Sequence, residues 1–162
     1  MDHPLPFHLF RQNHFLKHRD NNVKFHDLTI QATSKKSAKP RFIYSHFYLP
    51  HPPYFYDKNG VEKDETTIYN EYTSNPPESY LEYVLYTDKK IKELVDTIQH
   101  NDPKATIIVL SDHGYRAKNS TQYTHFFRNL NAVYYPDKNY TGLYDSITSV
   151  NQFRVIFNKL FN

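Results

Sequence analysis

Cysteine is absent from this 162-residue chain, which excludes disulfides, thiolate zinc sites and a cysteine nucleophile. That absence suits either redox state, so it leaves the compartment open. Tryptophan is missing too, and 15 Tyr with 12 Phe must carry the aromatic packing. No apolar run is longer than about six residues, against the roughly 20 that cross a bilayer, so no membrane segment is expected. Met1-Asp2-His3-Pro4 has neither the basic end nor the apolar stretch of a signal peptide, and no export signal is expected. No basic block stands out: 20 basic residues face 17 acidic ones for a net charge of +3, and Lys35-Lys36 and Lys89-Lys90 are short. So mild an excess excludes nucleic acid as the expected partner. Internal repeats and low-complexity segments are also lacking.

What is present is enough for one domain, or part of one, with a real core. Residues 1–40 are polar and weakly periodic, and read as a variable connector. Phe7, Leu9, Phe10, Phe15 and Leu16 suit a short helix or an irregular layer there, and residues 34–40 read as an exposed loop. Arg41 to Phe47 is aromatic and β-branched, which predicts a strand. Pro50, Pro52 and Pro53 then exclude helix and central strand. Asp57 to Gly60 predicts a turn, and Asn75-Pro76-Pro77 marks a helix start. From Glu78 to His100, Leu81, Val84, Leu85, Ile91, Leu94, Val95 and Ile98 recur at helical spacing. A strand over 105–111 follows and completes an α/β crossover. Another strand is expected at Asn131 to Tyr135, and a last helix near 149–161 with Val150, Phe153, Ile156, Phe157 and Leu160 on one stripe.

The chemistry concentrates where the run Ala105 to Leu110 stops at Ser111-Asp112-His113-Gly114. A buried strand fixes the backbone, and a carboxylate and an imidazole leave its end together. Glycine lets the chain turn away without crowding them. Ligands in open α/β sheets gather beyond such strand ends. A divalent cation would satisfy a carboxylate that must otherwise be solvated or paired, although the same pair could simply cap a turn. Arg116 could hold an anionic oxygen bidentately or be merely exposed.

Ten histidines are many, but most have a plain explanation. His3, His8, His14, His18 and His26 share no spacing, and His100 suits a helix C-terminus. His46 and His51 differ, because one ends the predicted strand and the other sits in the proline-fixed turn after it. Ordering such a turn costs little entropy, though a pair of histidines in an aromatic loop is the plainer reading. Asn119-Ser120-Thr121 and Asn139-Tyr140-Thr141 match glycosylation acceptors, a pattern short enough to arise by chance.

Ser111-Asp112-His113-Gly114-x-Arg116 resembles the late metal-binding motif of the sulfatase/alkaline-phosphatase superfamily. The element from His46 through Pro50-His51-Pro52-Pro53-Tyr54 is similar to the His-x4-His-x-Pro element of its phosphoethanolamine and phosphoglycerol transferases. His125 stands 12 residues after His113, where those transferases carry a further histidine. The resemblance runs from about Arg41 to the C-terminus. It implies an alkaline-phosphatase-like α/β fold, part of a three-layer α/β/α sandwich with a mostly parallel sheet. It also implies that Asp112 and His113 ligate zinc, manganese, magnesium or calcium, and that the metal polarises a phosphate or sulfate ester and activates an attacking hydroxyl. His51 and His125 would contact the transferred group or a second metal, supported by His46, with Arg116 on the substrate side.

The family's early acidic ligand and its Thr, Ser or formylglycine nucleophile are not found; Thr29 and Thr33 lack an apolar strand before them. Residues 41–162 are therefore expected to be the C-terminal part of such a catalytic domain, inactive by itself, and a complementary N-terminal chain is one expected partner. Kinship implies a periplasmic or extracytoplasmic location. The alternative is a non-catalytic α/β module that binds a partner or an anionic ligand.

Overall fold

A computed structural model describes the backbone of residues 5–116 and 123–161, with side chains from Leu16 to Arg116 and from Thr124 on. The chain order is α1 (Leu5–Ser34), α2 (Glu65–Ser74), α3 (Pro77–Asn101), β1 (Ile107–Leu110), a 3-10 helix (Tyr123–Phe127), β2 (Asn131–Tyr134) and α4 (Ser149–Phe161). It divides into two compact units, Met1–Asp102 and Pro103–Asn162. His3, the side chains of Phe7, His8, Leu9, Phe10, His14 and Phe15, and the Asn119 acceptor lie outside the described residues.

In the first unit, α1 is a 30-residue helix where a short helix or irregular layer was expected. Among the described side chains of α1, from Leu16 on, those buried are Asn22, Thr29 and Thr33, so its inner face there is polar. A helix of that kind shows no apolar periodicity to read. Against this face lies the segment 41–48, which is extended but is not the predicted strand. Side chains hold it instead of a ladder. The Ser45 hydroxyl meets Thr29 Oγ1 at 2.6 Å, and the Tyr48 N–H donates to Asn22 Oδ1 at 2.7 Å. Arg41 Nη1 donates to the Ala32 carbonyl at 2.6 Å. Phe42 and Tyr44 are left 75% exposed, because strand propensity without a neighbouring strand buries nothing.

The core of this unit is Tyr54, Phe55, Ile68 and Tyr83, with Leu49, Tyr56, Tyr80 and Tyr86 against it. The helix start at 76–77 and the span of α3 agree with the sequence reading. Its buried face agrees in part: Leu94 of the expected stripe is buried and Val84, Ile91, Val95 and Ile98 are half-buried, but Tyr83 and Thr87 also point inward while Leu81 is 58% exposed. Tyr83 lies 5.5 Å from the Tyr54 ring and 5.8 Å from that of Tyr86, and these large rings fill the core where Leu81 and Leu85 are left outside. α2 was not anticipated. Its start was visible in Asp64, whose side chain accepts the Thr67 N–H at 3.0 Å and caps the helix. The turn at Asp57 to Gly60 is present, with Gly60 at φ +85°, a torsion that glycine adopts freely.

In the second unit β1 and β2 pair antiparallel, Ile107 opposite Tyr134 and Leu110 opposite Asn131. The fold is of the α/β class that was expected. The two strands described here run antiparallel and form a two-stranded sheet, so no parallel pair of the expected mostly parallel sheet occurs among the described residues. Ile107, Tyr135, Gln152 and Ile156 are buried in this unit. α4 spans the expected residues, but Val150, Phe157, Leu160 and Phe161 of its apolar set face outward.

Candidate active site

Asp112 and His113 leave the end of β1 side by side, as the abrupt stop of the apolar run predicts. The Asp112 side chain is 86% exposed and that of His113 is 27% exposed. Asp112 Oδ1 accepts the His113 N–H at 3.0 Å, which folds the carboxylate back toward its neighbour. His113 Nδ1 lies 2.7 Å from the Gly114 carbonyl, an acceptor only, so this nitrogen carries the proton. Nε2, the other ring nitrogen, faces Asp112 Oδ2 at 3.8 Å. Metal-ligating histidines are commonly oriented by such a bond to a backbone carbonyl. Two bonds of roughly 2.0–2.2 Å to one ion span this gap, so the pair fits an N/O-binding divalent cation. It fits as two donors, since no group of three or more metal-binding side chains occurs among the described residues.

His125 is exposed on the 3-10 helix Tyr123–Phe127. That helix touches the Asp112–His113 end of β1 through the backbone, because the Gly114 N–H donates to the Phe126 carbonyl at 2.8 Å. The structure therefore brings the elements carrying Asp112, His113 and His125 together in the second unit. Arg116 is exposed two residues beyond Gly114.

His46 and His51 belong to the first unit, and both are exposed. Each is held by a tyrosine. His46 Nδ1 lies 3.2 Å from the Tyr44 hydroxyl. His51 Nδ1 donates to the Pro52 carbonyl at 2.6 Å, and its ring packs on that of Tyr48 with centroids 4.3 Å apart. The other neighbour of the Tyr48 ring is His18, stacked at 4.2 Å and 14°. Histidine spacing alone passed over His18; the signal was the interleaving Tyr44-x-His46 and Tyr48-x-x-His51, which marks tyrosines as the rings on which imidazoles rest. A groove of about 460 Å³ on α1, lined by Arg19, Asp20, Lys24, Asp27, Gln31 and Tyr56, contains none of these histidines.

The chain is of the α/β class, with a carboxylate and an oriented imidazole side by side at the end of a strand. A family model described as Sulfatase matches residues 9–155, and the chain belongs to the sulfatase family, within the sulfatase/alkaline-phosphatase superfamily and its α/β fold. The match begins inside α1, in the stretch where no motif resemblance was found. Members of this family act on sulfate or phosphate esters and generally use a divalent metal. No curated protein and no solved structure matches the chain. No helix among the described residues is long and apolar enough to cross a membrane.

Proposed function

We propose that this chain is the C-terminal portion of a metal-dependent sulfatase-like hydrolase or transferase acting on phosphate or sulfate esters, with residues 41–162 as its catalytic part. The observation that carries this is the pairing of His113 Nε2 with Asp112 Oδ2 at the end of β1, with the other imidazole nitrogen tied to a carbonyl. Asp112 and His113 would hold the cation, whether zinc, manganese, magnesium or calcium. When bound, it would polarise the ester and lower the pKa of an attacking hydroxyl. The chain's own residues do the rest. Gly114 keeps the proton on His113 Nδ1 through its carbonyl. By the family resemblance, His125, His51 and Arg116 would each offer donors to the non-bridging oxygens of the ester, where charge grows in the transition state. His46, which lies beside the Tyr44 hydroxyl, would have the supporting role that the family resemblance gives it. The His46–His51 element favours transferases of the phosphoethanolamine or phosphoglycerol type, and with them an extracytoplasmic setting and a complementary N-terminal segment or chain that supplies the nucleophile.

Calorimetry on the folded chain tests this reading. Replacing Asp112→Ala together with His113→Ala is expected to weaken zinc or manganese binding at least about tenfold, a loss of 1.4 kcal/mol or more. Unchanged affinity overturns it.

A second reading, a non-catalytic module for a partner or an anionic ligand, is favoured by one feature. Phe42 and Tyr44 stand exposed on an extended segment that is free of ladder pairing among the described residues, as a surface that waits for another strand would. A monomer by light scattering, with no change on adding candidate partner chains, would remove that support.

A further inference from the structure

In the tetrapeptide Ser111–Gly114 the inner two side chains carry the ligand chemistry, and the outer two residues act as fasteners. Ser111 makes three hydrogen bonds to the chain that returns toward β2. Its N–H donates to the Leu130 carbonyl at 3.0 Å. Its Oγ accepts the Leu130 N–H at 2.7 Å, and its carbonyl accepts from the Asn129 side-chain amide at 2.9 Å. At the other end of the motif the Gly114 N–H donates to the Phe126 carbonyl at 2.8 Å.

Glycine is required at 114 for proximity and not for torsion. Only Gly60 and Gly142 have positive φ among the described glycines. A Cβ at 114 would collide with the carbonyl oxygen of His125 and come within 2.5 Å of that of Arg128. Both obstacles are backbone atoms, which cannot swing aside as the end of a flexible side chain does. Any side chain at 114 must therefore push the 3-10 helix off the strand end. That helix has five residues, too few to order itself. Its position depends on what grips it from outside.

We propose that Ser111 and Gly114 are positioning residues, which fasten residues 125–130 so that His125 is held at the Asp112–His113 end of β1. The inference rests on the site reading above, in which His125 serves the same ester as the metal pair. Its physical content is entropic: a histidine on a loose loop must be ordered at each turnover, whereas a fastened one is ordered in advance. The four consecutive residues then divide their labour, with Ser111 and Gly114 setting geometry and Asp112 and His113 supplying ligand atoms.

The test uses the full chain labelled with nitrogen-15, in two measurements. Without metal, amide hydrogen exchange at Gly114 and Leu130 is expected to be at least about tenfold slower than in an open chain. Ser111→Ala should speed exchange at Leu130 by roughly tenfold while β1 amides stay slow, and Ser111→Thr, which keeps the hydroxyl, should restore it. The second measurement adds cobalt(II), with zinc(II) as the diamagnetic reference, and follows pseudocontact shifts. In the wild-type chain residues 109–110 and 125–127 should both shift. In Gly114→Ala and Ser111→Ala the shifts at 125–127 should shrink at least about twofold while those at 109–110 persist, since a released segment averages over many positions. Undiminished shifts at 125–127 in both variants overturn the proposal, as does open-chain exchange at Gly114 and Leu130 in the wild type. Slow exchange together with no cobalt shift anywhere overturns the metal reading instead, and the two failures are told apart. Where Gly114→Ala does not fold, the Ser111→Ala and Ser111→Thr pair decides.

Discussion

The two compact units hold their histidines by different means. In the first, His46 meets the Tyr44 hydroxyl and His51 packs on the Tyr48 ring, and the unit itself is held by buried aromatics: Tyr54, Phe55 and Tyr83 are almost wholly enclosed. In the second, His113 and His125 sit on backbone that is hydrogen-bonded to backbone, with Ser111 and Gly114 as the contact points. Ring packing tolerates small shifts, because dispersion is spread over many atoms. A hydrogen bond from a glycine N–H with no room for a methyl group does not. The stricter device stands at the Asp112–His113 end of β1, and the looser one holds His46 and His51.

Truncating the central ring is the largest test of this contrast. Tyr83→Ala is expected to cost about 3–5 kcal/mol, read by denaturant melts and exchange at amides of the first unit. Tyr83→Phe should be close to neutral, because the hydroxyl lies near the Phe55 backbone without a well-formed bond. A small effect of the alanine variant would mean that rings do not hold the unit together.

Raising pH is a milder probe of the same core. Burial is the main cause that pushes the Tyr86 hydroxyl from 10.0 up to about 12, with the neighbouring Tyr56 and Glu93 adding to it. The folded state thus keeps a proton that the unfolded chain gives up. Its contribution is complete below pH 10 and is lost as pH rises from there to about 12. Stability that stays flat across this window would contradict the buried arrangement; phenolate absorbance together with circular dichroism would follow it.

The smallest expected effect lies in the second unit. Lys159 pairs with Asp137 at 2.8 Å, donates to the Asn139 carbonyl at 2.7 Å and lies 4.7 Å from the Tyr135 ring centre. Hydrogen bonding from Lys159 is the first cause that holds the Asp137 carboxyl below its ordinary 3.8. That contribution is present above 3.8 and fades as pH falls through the lowered value. In Lys159→Met the Asp137 titration, followed by NMR, should move back toward the ordinary value, with little change in melting at neutral pH. A large melting change would show that this surface pairing matters as much as the ring core.

Much of this was legible in the residues. The apolar run ending at Asp112-His113 is a strand with that pair at its end, and α3, β2 and α4 occupy nearly their expected spans. Errors arose where burial and hydrophobicity part company. α1 buries Asn22, Thr29 and Thr33, so no apolar period marks it. In α3, Tyr83 and Thr87 are enclosed beside Leu94 while Leu81 and Leu85 are not, and in α4 Gln152 is enclosed while Phe157 and Leu160 are not. Periodicity locates a helix, but which of two adjacent stripes turns inward depends on the neighbour it meets. The strand expected over 41–47 failed for a related reason: a strand is a relation between two segments, and here α1's polar side chains occupy that place.

The sequence alone determined the family and the α/β class, because these depend on order and spacing along the chain. Tertiary structure alone decided which nitrogen of His113 is tied to a carbonyl, why residue 114 must lack a side chain, and that the segment bearing His125 returns to the end of β1. Each of these is a contact between residues distant in sequence or a direction in space, and no pattern along one chain encodes either.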